Sequence, residues 1–225
     1  MIVVTGASKG LGRAICDRLI SGGHEVFGIA RNVSAMPFPS ASCDVSIPDQ
    51  VKSASQLLRS QGKPVTALIN AAGIASMNLA ITTPPEVSRN IVATNLLGTI
   101  YCCQSFAPLM MRHKQGTIIN FSTIAVALGL KGESVYAASK AGVEGFSRAF
   151  AREMADFNIT VNCIAPGPID TDLLKGVTSA QINRIVAQQV LSRQFTPADV
   201  CDLVELLLDQ RGASLSGQVL HVGGV

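Results

Sequence analysis

The sequence predicts one α/β domain built on a parallel, doubly wound sheet of about seven strands, and three observations carry that prediction. Short β-rich runs alternate with longer helical patterns along nearly the whole chain. A glycine-rich turn joins the first run to the first helical stretch. The 225 residues are 48% apolar and only 15% charged, against a usual charged share of about 25%, so the chain buries a large core and exposes little. At roughly 150 residues per domain, an α/β chain of this length needs no second domain.

The strand candidates are residues 2–5, 25–30, 42–44, 65–70, 116–122, 159–164 and 217–222. Between them, helical spacing or capping residues mark 10–21, 48–61, 86–113, 134–157, 179–191 and 197–209. Strands separated by helical crossovers give a parallel sheet. One connection is different: residues 32–43 carry Pro37 and Pro39, leaving room for a turn or two of helix at most, so one face of the sheet is thinly covered there. Residues 90–111 hold no charge and are long enough on paper to cross a bilayer. Thr94, Asn95, Thr99, Gln104, Ser105 and Pro108 within it are expensive or disruptive in lipid, so the stretch reads as a helix buried against protein on several sides. No repeat or low-complexity tract interrupts the pattern.

Composition also excludes functions. Eighteen basic and fifteen acidic residues leave +3, spread without a block of like charges, so no nucleic-acid partner is expected, although the mild basic excess suits an acidic one. Nothing like a secretory signal precedes Ile2. Cys16, Cys43, Cys102, Cys103, Cys163 and Cys201 form no C-x-x-C pair and read as reduced, buried thiols of a cytoplasmic protein. His24, His113 and His221 are scattered without ligand spacing, so no metal site is expected.

The motifs carry chemistry. Thr5-Gly6-Ala7-Ser8-Lys9-Gly10-Leu11-Gly12 lets backbone N–H groups approach a pyrophosphate at the start of a helix. It is not the usual G-x-G-x-x-G, and Leu11 in place of a second P-loop glycine excludes a Walker A loop. Taken alone, such a turn also serves tight packing of helix on strand. Tyr136 and Lys140, four apart, project from one helical face. A phenol with pKa about 10 is a poor acid at neutral pH, and a neighbouring ammonium is expected to lower it. In isolation the pair reads equally as a surface Tyr-Lys contact.

Together with Asn70-Ala71-Ala72-Gly73 and Pro166-Gly167-Pro168-Ile169-Asp170-Thr171, these segments resemble the short-chain dehydrogenase/reductase family in order and spacing over residues 2–224. Within it, residues 135–142, Ser192-Arg193 and residues 216–222 look most like 3-oxoacyl-[acyl-carrier-protein] reductases. The resemblance implies a Rossmann-type sheet. It makes Tyr136 the acid and gives Lys140 contacts to the nicotinamide ribose. It puts Thr123, thirteen residues before the tyrosine, where the family has a serine that binds the substrate carbonyl. A threonine hydroxyl has the same donor and acceptor capacity, with a restricted rotamer and an added methyl. Asn95 matches the family asparagine that kinks its helix and holds a water in a proton relay, and an asparagine inside a helix is costly without partners. A core asparagine is the alternative there. Gly6, Ser8, Lys9, Gly10, Leu11, Gly12, Asn70, Ala71, Gly73, Pro166 and Gly167 fall on cofactor-binding motifs. Asp44 and Val45 resemble the pair that meets adenine, and Ile169 and Thr171 those that orient the nicotinamide amide and pyrophosphate.

Charge bears on the choice of cofactor. The second strand ends Ile29-Ala30-Arg31, without the acid that accepts from an NAD ribose. Arg31 and Lys9 offer two cations where the 2′-phosphate of NADP would lie. The expected protein is an NADPH-dependent ketone reductase, with residues 172–194 closing over a ketone that is carried on an acyl carrier protein or free. The alternatives are a broad carbonyl reductase or alcohol dehydrogenase of the same family, or a nucleotide-sensing protein without turnover. The stretches 90–111 and 134–157 need burial beyond one face, which predicts a homotetramer, with a dimer as fallback.

Overall fold

The computed structural model describes residues 1–171, 174 and 177–225. Its strands are β1 (Ile2–Thr5), β2 (Val26–Ala30), β3 (Ser40–Ser42), β4 (Ala67–Asn70), β5 (Gly116–Phe121), β6 (Ile159–Ala165) and β7 (Val219–His221). They form one seven-stranded sheet in the order β3-β2-β1-β4-β5-β6-β7, every neighbouring pair parallel. Its helices are α1 (Gly10–Ser21), α2 (Pro48–Ser60), α3 (Pro85–Val92), α4 (Gly98–Met111), α5 (Ala125–Leu128), α6 (Ser134–Met154), α7 (Ser179–Val186) and α8 (Pro197–Leu208).

Successive strand residues point to opposite faces. Val3, Leu68, Ile118 and Val161 share one core with Val51 and Leu58 of α2, Phe106 and Met110 of α4, and Phe150 and Met154 of α6. Ile2, Val4, Ile69, Ile119 and Ile164 share the other with Ile15 and Leu19 of α1 and Val200, Val204 and Leu207 of α8. Burial on both faces explains why the strands read as unbroken apolar runs instead of alternating ones. Residues 32–43 themselves form no helix over the sheet. Met36 and Phe38 cover it instead, so closely that a Cβ on Gly28 would stand 2.8 Å from the Phe38 ring.

Several boundaries differ from the sequence expectation. The helix expected over 86–113 runs without a break from Pro85 to Met111 but is not α throughout: α3 passes into α4 through a π-helical turn, Ala93–Leu97, around the fully buried Asn95. The wider turn displaces backbone carbonyls from their usual donors, and the Thr99 hydroxyl donates to Asn95 O at 2.8 Å. The third strand lies at Ser40–Ser42 instead of 42–44, because the Asp44 amide donates to the Gln50 side chain at 2.7 Å and leaves the ladder. The helix expected to reach residue 191 stops at Val186. Beyond it Gln189 is drawn into the core at 3% exposure, and Leu191 N donates to Gly223 O at 2.9 Å. Among the described residues no helix is long and apolar enough to cross a membrane. All six cysteines are free and buried.

Candidate active site

The strands all exit on one edge of the sheet, and the strand order reverses between β1 and β4. Open α/β sheets leave a crevice at that switch point. Here a cleft with a cavity volume of about 480 Å³ runs along it.

One end of the cleft is made by the β1–α1 turn. Gly6 has φ +69, and a Cβ on it would stand 2.9 Å from Ala71 O and Ala72 Cα; a Cβ on Gly12 would strike the Gly6 carbonyl. Only glycine fits at either position, so the turn lies flat on the exit of β4. Thr5 Oγ1 accepts there from Ala72 N at 3.1 Å. The first turn of α1 has no side-chain cap and no acid, which leaves the positive end of the helix open to an anion. Ser8, Lys9, Gly10, Leu11 and Gly12 line the cleft at this point, with Arg31, Asp44 and Val45 from the exits of β2 and β3. Burial acts to raise the Asp44 carboxyl, but hydrogen bonds from Ser46 and the charge of Arg31 outweigh it and hold the group below the ordinary range. Ala71, Gly73, Pro166, Gly167, Ile169 and Thr171 complete the wall. Asn70 does not reach it: this buried side chain donates to Asn120 Oδ1 at 2.8 Å and straps β4 to β5. A cradle that any Cβ would fill, beside an uncapped helix start and two cations, fits the phosphates of a dinucleotide.

The floor of the cleft holds the hydroxyls. Tyr136 and Lys140, one turn apart on α6, are 8% and 4% exposed. The Tyr136 phenol lies beside the hydroxyl of Thr123, close enough for that hydroxyl to favour its ionised form, and Thr123 Oγ1 accepts from Ala125 N at 3.2 Å. Ser122 turns away: its hydroxyl donates to the buried carboxylate of Glu144 at 2.6 Å. Of the two neighbours, Thr123 therefore meets the tyrosine. Lys140 Nζ donates to Phe121 O at 2.8 Å. Asn95 lies behind this group, accepting from Ile74 N and donating to Ile74 O, each at 2.9 Å, and donating to Ser139 Oγ at 3.1 Å. Gly73 lets them crowd together: a Cβ on it would be 3.4 Å from Asn95 Oδ1 and 3.5 Å from Lys140 Nζ.

The electrostatics correct one expectation. Burial pushes the Tyr136 phenol up, the Glu133 carboxylate adds to that, and only the Thr123 hydroxyl opposes it. Lys140 does not lower it. Burial instead pushes the Lys140 ammonium itself down to about 8, since a desolvated charge is costly on either partner.

Other residues at the site were not singled out from the sequence. Glu133 lines the cleft one turn before Tyr136, and Glu144 lies two turns after it, holding Ser122. The i−3 and i+8 spacing from Tyr136 is a signal that was available, since both positions share its helical face. Ile74, Met77, Ile124, Leu130, Leu174, Val177 and Ile185 give the other end of the cleft an apolar wall. Of the segment 172–194 expected to cover substrate, positions 172, 173, 175 and 176 lie outside the described residues.

The family model described as short chain dehydrogenase matches residues 1–182. The chain belongs to the short-chain dehydrogenase family. Among similar proteins, the 3-oxoacyl-[acyl-carrier-protein] reductase of Vibrio cholerae is 33% identical over 231 residues, covering 99% of this chain and 95% of that protein. Carbonyl reductase family member 4 of Danio rerio is 35% identical over 234 residues, covering 100% and 96%. Ligand-free aldohexose dehydrogenase of Thermoplasma acidophilum superposes with a TM-score of 0.89 at 28% identity, over 99% of this chain and 92% of that one. As a short-chain dehydrogenase, this chain is an oxidoreductase of a family that uses nicotinamide cofactors.

Proposed function

We propose that this short-chain dehydrogenase reduces a ketone to an alcohol with NADPH, acting on a 3-oxoacyl thioester. The observation that carries the reading is the Tyr136 hydroxyl, buried on the cleft floor beside Thr123 and one helical turn from Lys140. A bound nicotinamide supplies the hydride in this reading. Tyr136, held protonated by its buried setting, donates its proton to the carbonyl oxygen. Thr123 donates a hydrogen bond to the same oxygen and fixes the direction of attack. Lys140 holds a ribose hydroxyl and returns a proton toward Tyr136, with Asn95 ordering the exit of β4 behind it. Arg31, exposed at the end of β2, and Lys9 face the 2′-phosphate.

The reductases of acyl-carrier-bound substrates among the relatives support the thioester. The carbonyl reductase relative supports a second reading, a free small carbonyl in the same site. The outer faces of α4 and α6 support assembly as a homotetramer. Leu97 at the start of α4 is 37% exposed, and Ile100, Tyr101 and Leu109 on α4 and Phe146 on α6 are only partly covered by their own chain. Six free, buried thiols suit a reducing cytoplasm. The test is NADPH oxidation with acetoacetyl thioester and a panel of free ketones. Turnover with the thioester supports the reading, whereas dinucleotide binding without oxidation of NADPH by any member would leave a sensor, not an enzyme.

A further inference from the structure

Among the described residues, five charged ones line the cleft: Lys9, Arg31, Asp44, Glu133 and Lys140. Lys9, Arg31 and Asp44 sit at the glycine-turn end, and Lys140 is committed to Phe121 O. Among the described residues, Glu133 is the charged group at the apolar end, lining the cleft together with Met77, Ile124 and Leu130. It stands at the N-cap position of α6 but makes no capping hydrogen bond. Burial raises its carboxyl. It stands one turn before Tyr136 at the start of α6 and both line the cleft, so it lies close to where the reacting carbonyl must sit.

A carboxylate in such a place has two effects on what binds. It repels a second anion, because the repulsion is poorly screened in a partly desolvated cleft. A ligand that closes the apolar end also strips water from the carboxylate and must supply a donor in its place. Resting on the reductase reading above, we infer that Glu133 is a specificity-determining residue that rejects ketones bearing a free carboxylate beside the carbonyl and admits those whose acid is masked, as in a thioester with an N–H donor on its arm.

The test compares acetoacetyl-N-acetylcysteamine with free acetoacetate and with 2-pentanone, in wild type and in the Glu133→Gln and Glu133→Lys variants. In wild type, kcat/KM for the thioester should exceed that for acetoacetate. Glu133→Gln should lower the thioester-to-acetoacetate ratio by about tenfold, a modest reading of unit-charge repulsion at an effective dielectric near 20. Glu133→Lys should lower it further by making acetoacetate the better substrate. The uncharged 2-pentanone reports any general damage to the site, and thermal melting checks that both variants fold. If both variants scale all three ketones by one factor, the inference fails while the reductase reading stands. If wild type oxidises NADPH with none of them, the reductase reading falls and the inference with it.

Discussion

The two ends of the cleft are built in opposite ways. The glycine-turn end is backbone pressed on backbone: Gly6 and Gly12 have no room for a side chain, and Thr5 pins the exit of β4. Its shape is set by atoms that cannot rearrange, which suits one invariant ligand. The other end is a wall of side chains from separate segments, among them Met77, Leu130, Val177 and Ile185, with the carboxylate of Glu133 beside them. Side chains can change rotamer or identity without disturbing the sheet, so this end can differ in substrate while the first stays as it is. Between them lie Tyr136, Thr123 and Lys140, which must serve both.

If that division holds, chemistry and cofactor binding should come apart on mutation. Tyr136→Phe should lower turnover by roughly two to four orders of magnitude, with NADPH affinity by fluorescence titration unchanged. A parallel loss of affinity would show that the floor belongs to the cofactor end. Thr123→Ala should cost roughly two to three orders in kcat, as loss of a carbonyl hydrogen-bond donor does. Thr123→Ser, which keeps the hydroxyl, should be tolerated. Ser122→Ala should instead read as a stability loss of about 1–3 kcal/mol, because the buried Glu144 carboxylate loses its donor. Inactivation by Ser122→Ala with Thr123→Ala active would reverse the two assignments. At the far end, Arg31→Asp should cut the preference for NADPH over NADH by roughly 5- to 150-fold, the equivalent of about 1–3 kcal/mol for a charge-assisted contact. Equal loss with both cofactors would remove Arg31 from the 2′-phosphate.

A separate effect falls on the scaffold common to both ends. Burial raises Cys43, Cys163 and Cys201 to about 11 and Cys16 and Cys103 to about 12, from an ordinary value of 9.0, and raises Cys102 as well. Above pH 9 the unfolded chain sheds thiol protons that the folded chain keeps, so stability should fall as pH rises from 9 toward 11. The slope is up to about 1.4 kcal/mol per pH unit for each thiol. Lys140 works in the other direction, its folded value of about 8 lying below the ordinary 10.5, so it adds stability as pH rises through that interval. It is one group against the six thiols and the Tyr136 phenol, which burial also raises from 10.0. Urea midpoints that climb between pH 9 and 11 would contradict this balance.

The same contrast explains what was legible in the sequence. The glycine-turn end is local: glycine spacing after a β-branched run, and an arginine where an acid might stand, can be read along the chain. Tyr136 and Lys140 are legible for the same reason, being four residues apart on one helix. The apolar end is not, because Met77, Ile124, Leu130 and Ile185 each look like ordinary core residues and meet only through the topology of the sheet. Glu133 was missed although its spacing from Tyr136 is helical, since an acid at the start of a helix is expected for the dipole alone. The charge state of Tyr136 could not be read either. Sequence shows a nearby ammonium but not the burial that dominates both groups.

The turn at Ala93–Leu97 has a consequence for how the chain tolerates insertions and deletions. A π turn carries one residue more than the α turn it replaces, and so resets the rotational phase of everything after it. Here the reset lets α3 reach toward α6 while α4 settles against α2 and the sheet. Removing one residue from that turn would restore a continuous α-helix and rotate α4 by about 100° relative to α3. Phe106 and Met110, now fully buried, would swing off the core, and Asn95 would lose its register with Ile74. The site thus fixes a reading frame in the helix, and length changes between α3 and α4 should be admitted only in compensating pairs.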